Sequence, residues 1–252
     1  MSLWQILLLI CAGLLGGLAN AIAGGASLFT FPAMLATGLS PIAANATNSL
    51  ALLPGNSLGA FADRAKLPER DRMFWLGNGV AVLGGLSGAL LLLRTSPALF
   101  ELLVPALIGT ATLIFIFSAQ IRVGLKSLFG GEPHPALRQC LIFLAAVYNG
   151  FFGAGVGVIF IAVLVATGNE DLRTSNAFKN VLGFISNLGG IAIYAFSGVI
   201  SLPHGFTMMI GTTMGGLLGG KLVQVLPSWL VRSVISAAGM VMTATYVYRF
   251  WL

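Results

Sequence analysis

The sequence predicts an all-α polytopic membrane protein made of two inverted repeats of about five helical elements each, including short re-entrant or broken helices. Three observations predict this class: an apolar composition, a series of apolar runs, and a pattern that recurs later in the chain. Of the 252 residues, 57% are hydrophobic and 8% are charged, whereas a soluble domain carries about a quarter charged residues. The composition excludes a water-soluble globule and a nucleic-acid-binding domain, and it makes the lipid bilayer a partner.

The apolar runs are expected to be helices. Residues 1–62 contain no charged side chain, and a spanning helix needs roughly 20 apolar residues. Lipid cannot satisfy free backbone groups, which favours helices over open sheet. Two of the runs, of about 12 or 13 residues, are too short to span, which indicates re-entrant or partial crossings. The predicted elements cover residues 3–23, 25–37 (short), 41–62, 73–93 and 98–121, then 136–154, 156–167 (short), 173–197, 203–224 and 228–251.

An internal repeat divides the chain. A shift of 131 residues, without a gap, pairs Asn45 with Asn176 and Asn56 with Asn187. The same shift pairs several glycines, but two Asn pairs at one offset are harder to obtain by chance. The sequence therefore predicts a first membrane repeat at 1–121, a cytoplasmic connecting loop at 122–135 and a second, inverted membrane repeat at 136–252.

Charge placement favours the inverted arrangement. Five elements per repeat is an odd number, so the second copy should face the other way. With residues 63–72 in the cytoplasm, the four cytoplasmic connections hold ten of the 13 Lys and Arg residues, and only Arg94 and Arg249 fall outside. The positive-inside rule prefers this topology, with both termini outside.

Glycine-rich breaks stand directly before both short elements. The first break contains Gly24, Gly25 and Ser27, and the second contains Gly153 and Gly155. Glycine lets the backbone turn sharply and approach a ligand. A helix that starts after such a turn presents N–H groups and the positive end of its dipole, which favours an anion. Matched breaks in inverted repeats are typical of a transporter's binding site, so these five residues are candidates for binding a small anionic substrate.

Glycines also permit close helix packing in lipid, and this alternative stays open for the two breaks. The patterns Gly84-xxx-Gly88 and Gly215-xxx-Gly219 are assigned wholly to packing. Neither pattern is therefore a candidate for the binding site.

The third element of each repeat carries the other candidate residues, which are Asn45, Asn48 and Asn56 in the first copy and Asn176, Lys179 and Asn187 in the second. Residues three apart share a helix face, so each copy presents a polar stripe. Polar side chains in lipid also bridge helices without binding a ligand, and that alternative competes well for any single Asn. Two matched clusters opposite two matched breaks favour a site.

Lys179 is the most informative of these residues. It lies about two turns into an apolar helix, and an intramembrane charge is typical of a functional site. Snorkelling to the cytoplasmic surface is the alternative. If Lys179 points inward, it supplies a positive charge to an anion. No acidic residue lies deep in any predicted crossing, so a carboxylate-based proton or cation relay lacks its usual groups.

The residues do not favour an enzyme. The chain has no Ser/His/Asp set, no metal-ligand cluster and no deep carboxylate pair. We therefore expect no catalytic residue, no metal and no cofactor.

Several stretches resemble a known family. The sequences ANATNSLALLPG at 44–55 and SNAFKNVL at 175–182, with the Gly-rich segments at 24–25 and 152–155, look like the TauE/SafE sulfite exporter family, also called the toluene-sulfonate uptake permease family. The resemblance runs over nearly the whole chain. It implies a multi-pass secondary transporter of the bacterial inner membrane for a sulfur-containing anion such as sulfite or an organosulfonate.

The leading hypothesis is alternating access to a central anion site by rocking of the two inverted halves. An anion channel and a non-transporting membrane accessory subunit are the alternatives. The direction of transport, the coupling ion (protons included) and the oligomeric state, a homo-oligomer included, are left open by the sequence.

Overall fold

The apolar runs form helices in the computed structural model of the protein, which describes residues 1–23, 25–62, 64–128, 135–167, 172–222 and 228–251. Within these ranges the chain forms eleven α-helices, one 3-10 turn at Arg64–Lys66, and no β-strand. The predicted all-α class is therefore confirmed. The helices are α1 Leu3–Ala23, α2 Ser27–Ala36, α3 Pro41–Ala62, α4 Arg72–Arg94, α5 Pro97–Ile116, α6 Ser118–Leu128, α7 Pro135–Phe151, α8 Val156–Thr167, α9 Leu172–Ser197, α10 Leu202–Leu222 and α11 Ser228–Trp251.

Helix length and exposure both indicate a membrane protein. Among the described residues, four helical stretches are long and apolar enough to cross a bilayer: Leu3–Ala21, Arg72–Arg94, Pro97–Ile116 and Arg173–Ser197. The apolar helices α2 and α8 have 10 and 12 residues, as the sequence predicts for the two short elements. Large apolar side chains face outward from many helices, and Phe196 is 93% exposed. Water disfavours apolar surface on this scale, whereas lipid accepts it.

The fifth predicted element differs from the structure. It is predicted to run from 98 to 121, but α5 ends at Ile116 and α6 begins at Ser118. Residues 122–128, predicted as the start of the connecting loop, belong to α6, and 129–134 lie outside the described residues. The sequence of α6 is amphipathic, with charged and apolar positions interleaved. A search for apolar runs therefore misses it, although it has helical periodicity.

Glycines allow two helix pairs to pack with their backbones in contact. A Cβ at Gly84 or Gly88 of α4 would overlap the backbone of α7. A Cβ at Gly215 or Gly219 of α10 would overlap α1 in the same way. The structure thus shows the packing role that the sequence assigns to these four glycines.

Helices of the first predicted repeat pack on helices of the second, and each such contact recurs with the two repeats exchanged. Helices α1 and α7 hold matching places in the repeats, and so do α10 and α4; α1 packs on α10, and α7 packs on α4. The matching helices α3 and α9 pack on each other, as do α5 and α11. An internal duplication predicts this exchange, while the inverted orientation of the second copy stays a prediction.

We predict that Gly85→Ala destabilises the protein and that Gly79→Ala, on the same helix, does not. A Cβ at Gly85 would overlap the Ser186 carbonyl of α9, whereas a Cβ at Gly79 meets nothing within 4 Å. Both changes gain about 1 kcal/mol of helix propensity, so any difference between them reports the backbone contact. Thermal unfolding in detergent measures it, and a Gly85→Ala protein as stable as Gly79→Ala would contradict the packing.

Candidate functional site

A cavity of about 740 Å³ lies between helices of both halves of the chain. Helices α3 and α9 supply much of its polar wall, and α1, α2, α7, α8 and α10 complete it. Seven of the residues that the sequence predicts for the site line this cavity: Ser27, Asn48, Asn56, Gly153, Asn176, Lys179 and Asn187.

Of the remaining four predicted residues, the three that the structure describes do not line the cavity. Gly24 lies outside the described residues. Gly25 packs against α11, where an added Cβ would meet Ile235. Gly155 packs beside Ala111 of α5, and Asn45 is buried against α7. We therefore interpret Gly25 and Gly155 as residues that shape the breaks rather than touch a ligand.

The second break is a sharp reversal between α7 and α8. Helix α7 ends at Phe151, three residues before the predicted end at 154. Gly153 and Gly155 follow with φ of +79° and +73°, a conformation that glycine adopts without the steric penalty of a side chain. The chain can therefore turn back within four residues and start α8 at Val156.

Side chains satisfy the carbonyl groups that this reversal releases from the helix. Three of these groups accept a side-chain hydrogen bond: Gly150 from the Tyr194 hydroxyl, Phe151 from Asn45 Nδ2 at 2.9 Å, and Ala154 from the Tyr148 hydroxyl at 2.6 Å. Lipid offers no donors, so a break at this depth depends on such bonds.

Both short helices point their N-termini at the cavity. Ala26 and Ser27 of α2 line it, and so do Val156 and Gly157 of α8. The N-cap residue of α2, Ala26, has no side chain that could accept from the first turn. Backbone carbonyls of the two breaks accept from the N–H groups of Leu28, Phe29, Val156 and Val158, and each N-terminus carries about half a positive elementary charge. Two such termini at one cavity favour an anion.

Equivalent positions of α3 and α9 line the cavity together. The 131-residue shift relates four pairs of lining residues, which are Asn48 and Lys179, Ser49 and Asn180, Leu52 and Gly183, and Asn56 and Asn187. The two helices are tied by a hydrogen bond from Asn187 Nδ2 to the Ser49 carbonyl at 2.9 Å. Asn48 Nδ2 donates to Ser27 Oγ at 3.3 Å, which connects α3 to the N-terminus of α2.

The sequence-based prediction missed two asparagines. Asn20 of α1 lines the cavity and donates to Asn56 Oδ1 at 3.1 Å. Asn149 of α7 lines it as well and donates to Ser186 Oγ at 2.7 Å. Each of them stands four residues before a glycine of its break, and this spacing is a usable signal. The pair is related by 129 residues, so the gapless shift of 131 does not align it.

The charged side chains that line the cavity within the described ranges are both lysines. Lys179 lines it, and so does Lys66 of the 3-10 turn, which the prediction also missed; no Asp or Glu from the described ranges does. Lys66 and Phe61 are exposed, so the cavity opens where α3 ends and α9 begins. At the other end the wall is buried, with Phe31 and Phe152 in an edge-to-face contact at 5.3 Å between ring centroids.

The structure offers no metal site in its described ranges, since no group of three or more His, Cys, Asp and Glu residues meets there. The chemistry of the cavity is that of amides, hydroxyls, ammonium groups and helix N-termini. This set holds oxyanions by donating hydrogen bonds.

Comparison with known proteins decides the family. The model of the sulfite exporter TauE/SafE family matches residues 9–246. The chain belongs to the TauE/SafE sulfite exporter family. The resemblance in the sequence is thereby confirmed, and the protein is a membrane transporter by family rather than an enzyme.

Individual relatives of this TauE/SafE member are similar along the whole chain. The "probable membrane transporter protein" of Haemophilus influenzae is 32% identical over 247 residues, which cover 96% of this chain and 94% of that protein. The "probable membrane transporter protein YfcA" of Escherichia coli K12 is 29% identical over 245 residues, 95% of this chain and 88% of that protein. No solved structure matches the chain.

We predict that Gly153→Ala destabilises the break and that Gly183→Ala, on α9, does not. Alanine at Gly153 would sit at φ +79° with its Cβ 2.9 Å from Asn149 Oδ1, and the left-handed conformation alone costs about 1–2 kcal/mol. Gly183 is helical, and a Cβ there meets nothing within 4 Å. Unfolding in detergent should show a lower midpoint for Gly153→Ala only. Equal midpoints would show that the turn does not need glycine.

Proposed function

We propose that this protein is a multi-pass secondary transporter of the bacterial inner membrane that moves a small sulfur-containing anion, sulfite or an organosulfonate, by alternating access. The family supports transport. The observation that supports an anion is the cavity itself, where two lysines and two helix N-termini meet without a carboxylate among the described lining residues.

The charges on the cavity wall favour an anionic ligand over a cation. A cavity with low-dielectric walls and charges of one sign concentrates the counter-ion, and the α2 and α8 N-termini add to Lys179 and Lys66. In this proposal Lys179, on the cavity wall, offsets the charge of the substrate. Lys66, at the open end, is placed to attract it.

Asn48 and Ser27 form a hydrogen-bonded pair in which the donor and the acceptor can exchange. Asn48 Oδ1 is buried and has no hydrogen-bond partner in the described structure, while Nδ2 donates to Ser27 Oγ. A hydroxyl both donates and accepts. With the amide turned over, Ser27 donates to Oδ1, so the Ser27 hydroxyl and the Asn48 amide can exchange donor and acceptor roles as the site changes. Asn56, Asn176 and Asn187 supply further amide groups on the same wall.

The size and lining of the cavity suit an anion with an organic group. Next to α9, α8 contributes apolar side chains to the cavity lining that include Val158, Phe160 and Ile161. A volume of about 740 Å³ leaves room for an apolar body beside the oxyanion. This supports organosulfonates alongside sulfite as candidate substrates.

The shape of the cavity favours a carrier over a channel. The cavity is open beside Lys66 and Phe61, and its other end is closed by buried aromatic rings. A conducting channel needs a path that is open at both ends, whereas alternating access requires one closed end at a time.

Flux into proteoliposomes tests the substrate class. We expect saturable uptake of sulfite and of small sulfonates, without matching uptake of carboxylates, and an imposed pH gradient shows whether protons contribute. Absence of flux for any anion, from protein that is folded by size-exclusion chromatography, would contradict the proposal.

We predict that Lys179→Gln lowers sulfite flux at least tenfold, because it removes the charge that offsets the anion and leaves a polar side chain in place. Arg94→Gln is the matched control, since Arg94 is exposed at the end of α4 and does not line the cavity. Unfolding midpoints for both variants establish that the fold is retained. Unchanged flux in folded Lys179→Gln would contradict the role of this lysine.

A further inference from the structure

Asn45 and Asn176 hold equivalent positions but have different surroundings. The 131-residue shift relates them, and each lies three residues before a member of the cavity pair Asn48 and Lys179. Asn176 lines the cavity. Asn45 does not: it is 1% exposed, and its Nδ2 donates to the Phe151 carbonyl, which lies 106 residues away in the other half of the chain.

The surroundings of Asn45 form the closed end of the cavity. The neighbouring carbonyl, that of Gly150, accepts from the Tyr194 hydroxyl of α9. The next ring along the chain, Phe152, packs on Phe31 of α2. Tyr194, Phe31 and Phe152 are at most 3% exposed. These groups, together with Asn45, make one layer that joins the two halves; we name it the closed layer.

Asn176 lies at the open end. It is near the start of α9, and the exposed Phe61 and Lys66 stand where α3 ends on the same side of the cavity. Asn45 lies near the start of α3, at the opposite end. The two equivalent asparagines thus mark the two ends, one of them closed and one of them open.

We propose that Asn45 and Asn176 are a pair of alternating gate residues, each of which closes its own end of the cavity by donating to the backbone of the other half. In this conformation Asn45 is engaged with the end of α7. In the opposite conformation Asn176 donates to the last turn of α1, which holds the place of α7 in the first repeat. The inference rests on the alternating-access part of the proposed function, and it names the residues that carry it out.

The hydrogen bond to the Phe151 carbonyl explains how this gate can both close and open. When its end of the cavity is closed, the buried Asn45 donates to this group and satisfies it. When that end opens, water enters and takes over the hydrogen bond, so breaking the Asn45 bond leaves no buried unsatisfied group. An amide donor therefore stabilises the closed end only modestly, and a modest difference allows both conformations to be populated.

Side-specific thiol labelling tests the gate. Cys11 and Cys140 are exposed and are first replaced by Ser, and Leu52→Cys then places one thiol on the cavity wall. A membrane-impermeant maleimide is added from either face of oriented vesicles. In the parent, labelling should be faster from the face on which Lys66 lies.

We predict opposite shifts for the two gate variants. Asn45→Ala should raise labelling from the far face relative to the Lys66 face about fivefold, as the loss of one net hydrogen bond implies. Asn176→Ala should shift the ratio the other way. Asn78→Ala is the matched control, because Asn78 is a buried amide that donates within its own helix, to Phe74 at 3.0 Å.

Two results would overturn the gate. One is an Asn45→Ala ratio equal to that of Asn78→Ala, and the other is a shift of the same sign for Asn45→Ala and Asn176→Ala. If Asn45→Ala does not fold, Tyr194→Phe removes the neighbouring hydrogen bond and keeps the ring; it should shift the ratio in the direction expected for Asn45→Ala, and no shift would contradict the closed layer.

The labelling ratio is measured without substrate. The experiments can therefore contradict the gate without contradicting the anion proposal, and the reverse. If no sulfite flux is measured but the labelling ratios are as predicted, the substrate assignment is wrong and the gate stands. Equal labelling of the parent from both faces would overturn alternating access and the gate together.

Discussion

The fold depends on one constraint, namely that a helix broken inside a membrane exposes backbone groups that lipid cannot satisfy. This protein breaks two helices, before α2 and before α8. At the second break, side chains from α3, α7 and α9 donate to the released carbonyls. The breaks must therefore lie inside the bundle, and the glycine contacts of α1 with α10 and of α4 with α7 bring the surrounding helices close enough to enclose them.

The same breaks create the chemistry of the cavity. Reversing the chain places the first residues of α2 and α8 on the cavity wall, together with Lys179 and several amides. Backbone dipoles, amides and ammonium groups all favour negative charge. A fold that must hide its broken helices thus gains, at the same place, the donors that an oxyanion requires.

The sequence predicts which residues line this cavity better than it predicts which end of the cavity is closed. The repeat identifies Asn56 and Asn187 because asparagine recurs at one offset, and the three-residue spacing on a helix face adds Asn48 and Lys179. It cannot separate Asn45 from Asn176, since the repeat describes two equal halves and the structure holds one conformation, with one end closed. The search for apolar runs does not find Lys66 or α6, which extend beyond such runs. The sequence predicts Gly25 for the site, whereas the structure packs it against α11, and the two roles of a glycine look alike in sequence.

The central claim is that an oxyanion binds between the two helix N-termini and Lys179, and the most direct measurement is a crystal structure with 2-bromoethanesulfonate. Bromine scatters X-rays anomalously, so its position can be distinguished from those of the lighter protein atoms. The account predicts a bromine peak on the apolar α8 side of the cavity, with the sulfonate toward Lys179, and its loss in Lys179→Gln crystals. No peak in the cavity at saturating ligand, or an equal peak in the variant, would contradict it.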